Sequence, residues 1–294
     1  MKKTAAALVL SLCIASQTSY AIENCKMIRM GFNPAQDSNV VLTNGNALAK
    51  YLEKSVRGLE VKATVAQDYT GLVEAMRSGQ LDFAWLSPVS YIDAAKNAGA
   101  KVLLKSVRGN GPFYWSALVV RKDSGINKLE DLRGKSIAWI DPKSAAGYTY
   151  PKATLLSKNI DPDKFFGKQT FAGDHGAAVL SLVNGTVDVV ATFANDTKGI
   201  SGSWTQLLKP EQAAQVKPLI FSKPIPGDTF SVRKDYETAC GDITKRISNA
   251  IAGMRYYPES KTLLSKLYRI DYMIPGKDSD YDVVREVQKL SDKK

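Results

Sequence analysis

Histidine is almost missing from this chain of 294 residues: there is one, His175. One imidazole excludes a multi-histidine metal site. Cysteine is scarce as well, with three in all. No Gly-x-Ser-x-Gly elbow is present. Gly134-Lys135-Ser136 ends like a phosphate-binding P-loop, but Leu129 stands where its first glycine should be. Past the N-terminal segment, no run is long and apolar enough to cross a bilayer, which takes about 20 residues. The chain is basic, with 40 Lys and Arg against 29 Asp and Glu, but the positive residues are scattered and form no nucleic-acid motif. Nucleic acid is therefore not an expected partner.

The N-terminus has a clear pattern. Lys2 and Lys3 form a basic segment, Ala5 to Ser16 an apolar one, and Ser19-Tyr20-Ala21 a small-x-small cleavage site. This predicts a secretory signal peptide over residues 1–21, a mature chain from Ile22, and the bacterial periplasm as compartment. Losing Lys2 and Lys3 takes the formal charge from +11 to +9. Such a surface aids solubility and draws anions over long range. Cys13 leaves with the signal. Cys25 and Cys240 remain, either as two buried thiols or, as an oxidising compartment favours, as one disulfide tying the N-terminus to the C-terminal region. A hydrophobic fraction of 44% supports a real core.

Alternating strands and helices predict an α/β architecture with mainly parallel sheets. Met27 to Phe32 reads as a strand, Ala47 to Lys54 as a helix and Leu59 to Val65 as a strand. An internal echo divides the chain. Asp68-Tyr69 opens a helical stretch that closes at Gly79 and leads through Asp82 into Phe83-Ala84-Trp85-Leu86. Asp174-His175 opens another that closes at Gly185 and leads through Asp188 into Val189-Val190-Ala191. In each copy Asp can cap a helix, Gly can end it and a buried strand follows. The starts match too: IRMGF before Asn33-Pro34, and KSIAWI before Asp141-Pro142. Two similarly built lobes follow. Residues 116–123 and 229–235 are β-rich segments sharing a V-R-K-D ending, predicted to carry the chain into the second lobe and back. The helical stretch Ile243 to Met254 and the polar C-terminal helix are expected to pack on the first lobe.

Between the strand Ser136 to Ile140 and the next helix lies Asp141-Pro142-Lys143-Ser144-Ala145-Ala146-Gly147-Tyr148. Small residues feeding a helix N-terminus let an anion approach free backbone N–H groups, and Ser144 adds a hydroxyl. His175 sits at the start of a repeated helix, at the carboxyl end of a strand, where open α/β sheets bind ligands. Tyr69 holds the matching place in the other lobe. Tyr114 precedes the first crossing segment, and Asp196 and Asp228 fall near the cleft. Plainer roles stand beside these: a solvated histidine, a core tyrosine, carboxylates that shape turns. Ser144, His175 and Asp196 also allow a nucleophile, base and orienter, a minor hydrolase alternative.

The stretches DYTGLVEAMRSGQLDFAW, PFYWSALVVRKDSGINKLEDL, DPKSAAGYTYP, AGDHGAAVLSLVNGTVDV and KPIPGDTF together resemble the phosphonate/phosphite/phosphate-binding receptors of bacterial ABC importers. The resemblance implies two Rossmann-like α/β lobes joined by a two-strand hinge, the type II periplasmic binding protein fold, closing on a ligand. The expected division is residues 22–119 and 229–294 for the first lobe and 120–228 for the second. It implies a monomeric, non-enzymatic receptor that takes no cofactor or metal. Its partners would be a small anionic or zwitterionic ligand, phosphonate-like by preference, and an ABC permease in the inner membrane. Tyr69, Tyr114, Ser144, Ala145, Ala146, His175, Asp196 and Asp228 fall on the family's ligand positions, the two acids serving a ligand amine. The loop departs from the family's S-T-S-G pattern, since Ala145 and Ala146 replace two hydroxyls worth about 1.5–3 kcal/mol each to a charged group. A sulfonate, carboxylate or amino-acid-like ligand is the alternative, as is presentation of the ligand to a membrane sensor.

Overall fold

The computed structural model describes residues 25–109 and 111–292; the expected signal peptide lies outside them. The first lobe begins with β1 (Met27–Phe32), α1 (Ser38–Ser55), β2 (Glu60–Val65), α2 (Tyr69–Arg77), β3 (Phe83–Leu86), α3 (Pro88–Ala98) and β4 (Ala100–Val107). The second holds β5 (Phe113–Arg121), β6 (Ser136–Trp139), α4 (Tyr150–Leu156), β7 (Lys168–Phe171), α5 (His175–Val183), β8 (Val189–Ala194), β9 (Val216–Phe221) and β10 (Ile225–Pro226). The chain then returns through β11 (Thr229–Arg233), α6 (Gly241–Gly253), α7 (Pro258–Tyr268), β12 (Tyr272–Pro275) and α8 (Asp282–Ser291). Helix α1 starts earlier than its apolar pattern alone predicts, because Asp37 caps it by accepting from the Asn39 and Val40 amides.

The two sheets repeat one another. The first runs β12-β4-β11-β3-β1-β2, and the second β10-β5-β8-β6-β7 with β9 also on β5. In each, three parallel strands (β2-β1-β3 and β7-β6-β8) meet one antiparallel strand, β11 or β5. The echoed residues do the same work twice. Asp82 accepts from the Arg29 amide and Asp188 from the Ser136 amide, each tying a helix exit to its central strand. Gly79 and Gly185 take positive φ of 74° and 72°, as a helix exit through glycine requires.

The V-R-K-D segments are not the crossings. Each is the antiparallel strand of its own sheet, and its arginine donates to the carbonyl just before the repeated aspartate: Arg233 to Leu81 and Arg121 to Val187. Strand β5 belongs to the second sheet from Phe113 onward, so the first crossing lies between β4 and β5 and not at the expected 119/120 boundary. The return crossing falls between β10 and β11, at Gly227-Asp228. The C-terminal helix also departs from expectation. Helix α8 packs on α3 of the first lobe and on α4 of the second, so it straddles the two. An apolar cluster runs beneath it across the junction, from Tyr91, Val89 and Leu72 to Ala145, Tyr150, Tyr281 and Val284.

Cys25 and Cys240 are bridged, with Cα atoms 5.6 Å apart. The bridge ties the start of β1 to the head of α6, closing a loop of 215 residues. Constraining so long a loop in the unfolded chain stabilises the fold by about 2–4 kcal/mol. Reduction, or the double substitution Cys25→Ala and Cys240→Ala, is expected to lower the denaturant midpoint accordingly. An unchanged midpoint would show that the bridge contributes nothing.

Candidate functional site

Both lobes turn the carboxyl ends of their parallel strands toward one cleft, where α/β sheets bind ligands. After β1 the chain presents Asn33, Ala35 and Gln36; after β6 it presents Ser144, Ala145 and Ala146. After β2, Asp68 caps α2 through the Gly71 amide at 2.6 Å and so sets Tyr69 at the first position of the helix. After β7, Asp174 caps α5 through the Ala177 amide at 2.9 Å and sets His175 at the matching position. Two equal capping devices thus aim a tyrosine and a histidine at each other's lobe. Tyr114, Arg108 and Asp228 enter from the crossings, and Trp85, Ser87, Phe193 and Tyr268 complete the wall. The enclosed space open to the centre of a water-sized sphere is about 50 Å³. One water needs roughly 10–15 Å³ on that measure, so the cavity suits a ligand of a handful of heavy atoms.

Every residue expected at the site lines this cavity except Asp196. The Asp196 carboxylate is turned into its own loop, accepting from the amides of Lys198 at 2.7 Å, Ile200 at 3.1 Å and Ser201 at 2.8 Å. Its expected contact with a ligand amine is therefore replaced by loop capping. The same geometry removes the hydrolase alternative. His175 pairs through Nδ1 with the Thr192 hydroxyl at 2.8 Å, and Ser144 Oγ accepts from the Gly147 amide at 3.0 Å. Among the described residues no acid hydrogen-bonds to the imidazole to orient it as a base.

Residues 145–149 form a π turn before α4: Thr149 N–H donates to the Ser144 carbonyl and Tyr150 N–H to that of Ala145. Such single wide turns often occur at functional sites. It leaves the Ala145 and Ala146 amides at a helix start, with no preceding turn to accept them. Gly147 fits only as glycine, because a Cβ would enter the Ile140 side chain. The Tyr69 phenol faces the Ser144 hydroxyl, and burial raises its pKa far above the usual tyrosine range. Burial does the same for Tyr114 and Tyr268. All three therefore stay protonated; Tyr268 spends its proton on the Asn33 carbonyl and Tyr114 on Asp228, which leaves the Tyr69 phenol as the donor toward the cavity.

Sequence reasoning missed Arg108, Trp85, Asn33, Gln36, Ser87, Phe193 and Tyr268. Asn33 and Trp85 carried a signal, as each lies in the repeat at the end of a parallel strand. Trp85 is 1% exposed, yet its Nε1 has no hydrogen-bond partner among the described residues, nor has Oδ1 of Asn33. Buried polar groups are rarely left so, and both sit on the cavity wall. Arg108 pairs with Asp228, NH2 to Oδ2, at 2.7 Å.

The lobes are closed on each other. His175 N–H donates to the Ala35 carbonyl at 3.2 Å, and the Ser87 hydroxyl to the Lys143 carbonyl at 2.7 Å. Lys143 pairs with Asp93 at 2.5 Å. Asp141 accepts from the Lys143 amide, and burial raises its pKa.

Burial, helped by the positive charge of Arg108, pushes the His175 pKa down to about 3. The folded chain therefore holds this histidine neutral, whereas the unfolded chain protonates it near pH 6.5. Stability from this group is full above about 6.5 and is lost progressively as the pH falls toward 3. His175→Gln cannot take up that proton, so its melting temperature is expected to fall less than wild type between pH 7 and 4.5. Parallel falls in the two proteins would rule this out.

Residues 30–281 match the model of the phosphonate periplasmic substrate-binding proteins of ABC transporters. The phosphonates-binding periplasmic protein of Escherichia coli is 30% identical over 87% of this chain and 75% of its own length. The phosphate-import protein PhnD of Mycolicibacterium smegmatis is also 30% identical, over 96% of this chain and 92% of its own. A binding protein of an ABC phosphonate transporter from Pseudomonas aeruginosa superposes with a TM-score of 0.79 at 25% identity, over 90% of this chain and 86% of its own. PhnD1 of Prochlorococcus marinus, in complex with methylphosphonate, superposes at 0.78 with 19% identity, over 90% and 98%. The chain belongs to the phosphonate-binding family of periplasmic receptors that serve ABC importers, a type II periplasmic binding protein and not an enzyme.

Proposed function

We propose that this receptor captures a compact, phosphonate-like oxyanion (an alkylphosphonate, phosphite or phosphate) as its lobes shut. The observation that carries this is the cavity itself. It has room for a handful of heavy atoms, and Trp85, whose Nε1–H is unpartnered among the described residues, lines it together with Tyr69, Ser144 and Arg108. Neutral His175 adds no charge. The protonated Tyr69 phenol, an indole N–H and first-turn amides can all donate to an oxyanion, and charge-assisted bonds of this kind are the strong ones. Trp85 and Arg108 offset the hydroxyls missing at Ala145 and Ala146. The names of the relatives support the class of ligand.

Capture involves no bond-making. The ligand docks on one open lobe, and closure brings the other lobe's donors onto it, displacing the equilibrium toward the shut form by their differential affinity. The closed receptor is what an inner-membrane permease then receives. Residues 1–21 act as a cleaved leader, and the mature receptor works as a monomer.

Calorimetry on the purified mature chain is expected to give saturable one-site binding of methylphosphonate, phosphite or phosphate, with ethanesulfonate and glycine weaker. Absence of binding for all three oxyanions would sink the reading. Trp85→Phe keeps an aromatic, though smaller, ring and loses the donor, so affinity is expected to fall about ten- to hundredfold with folding retained. Unchanged affinity would show that Trp85 does not touch the ligand.

A further inference from the structure

We propose that Arg108 sets the ligand class: it is the built-in counter-cation of Asp228, so the cavity takes an oxyanion that carries no amine. This rests on the receptor reading above and narrows it. A receptor for an amine-bearing ligand needs a carboxylate free to receive the ammonium. Among the described lining residues Asp228 is the one carboxylate, and it is engaged at both oxygens. Arg108 NH2 donates to Oδ2 at 2.7 Å, and the Tyr114 hydroxyl to Oδ1 at 3.3 Å. The second acid of the family pattern, Asp196, is folded into its own loop.

The guanidinium is held in place independently of any ligand. Its NH1 donates to Ser106 Oγ at 3.0 Å, its NH2 also reaches the Tyr268 carbonyl at 3.3 Å, and it lies 5.2 Å from the Tyr114 ring centre. Arg108 starts the outward crossing and Asp228 ends the return, so the pair also spans the two hinge segments. The two side chains are 12% and 20% exposed, so water screens the pair little. An ammonium brought to Asp228 would meet a positive charge already seated there. To displace it would leave a mostly buried guanidinium without its partner, which is costly. A phosphonate oxygen meets the opposite situation: a locally neutral pair whose planar cation spends three of its five N–H donors on Asp228, Ser106 and Tyr268 and keeps two to offer.

The test uses ethylphosphonate and aminomethylphosphonate, which differ by an ammonium in place of a methyl. Wild type is expected to bind ethylphosphonate at least tenfold tighter by calorimetry. Arg108→Gln removes the resident cation, and the ratio is expected to shift at least tenfold toward aminomethylphosphonate; Arg108→Lys keeps a charge and should keep the preference. Should Arg108→Gln fail to fold by circular dichroism, Asp228→Asn decides. With the guanidinium unneutralised, ethylphosphonate should tighten at least threefold and stay preferred, whereas an amine receptor would lose aminomethylphosphonate selectively. A wild type that prefers aminomethylphosphonate, or a ratio unmoved by Arg108→Gln, overturns the proposal. If wild type binds ethylphosphonate and methylphosphonate with no such ratio shift, only the role of Arg108 falls. If it binds no oxyanion at all, the receptor reading falls and this inference with it.

Discussion

Gly227 has no room for a side chain: a Cβ there would run into the backbone carbonyl of Ser106. The close approach of the two chain crossings is the constraint on which the rest of the molecule depends. The Ser106 amide donates to the Asp228 carbonyl, the Gly227 amide to the Pro112 carbonyl, and the Tyr281 hydroxyl to the Gly227 carbonyl. These bonds hold Arg108, Tyr114 and Asp228 at the floor of the cleft, between sheets that each contribute only half a wall. Any larger residue at 227 would push the crossings apart and part the ion pair that lies between them. A site assembled from two lobes needs such a fixed axle, because closure can only register the walls if the pivot does not slide.

The cleft works by balancing charge locally. A positively charged ligand site would hold counter-anions indiscriminately, and a negatively charged one would repel oxyanions. Here the one charged pair among the described lining residues cancels, the histidine is kept neutral by burial, and the phenols stay protonated. What faces the ligand is a set of oriented dipoles, which discriminate by geometry more than by net charge. The basic surface outside, +11 over the whole chain, draws anions toward the cleft without fixing any of them.

Much of this was readable before any coordinates. The doubled Asp–helix–Gly–Asp pattern reported two like-built lobes because each of its residues has one local job, and local jobs leave local signatures: caps, left-handed exits, strand ties. Tyr69 and His175 were placed at the cavity wall for that reason. Trp85 and Arg108 were not legible in this way, because their roles come from distant partners. A tryptophan in an apolar run reads as core, and an arginine after a strand reads as surface. The V-R-K-D segments misled for a related reason. The repetition was real, but it marked a shared strut between strand and helix exit and not a crossing. The C-terminal helix was misplaced because its polar sequence carried no sign that it would rest on both lobes.

The disulfide has a topological consequence of its own. Cys25 stands near the start of the first lobe, and Cys240 follows the return to it. Everything between them, including the whole second lobe, is therefore a closed covalent ring. A protease that cuts once within that ring opens it without releasing a fragment; the pieces stay tethered through the first lobe, and a second cut is needed before any of the chain departs. A single nick between the two cysteines is thus a break in a loop and not the loss of a lobe.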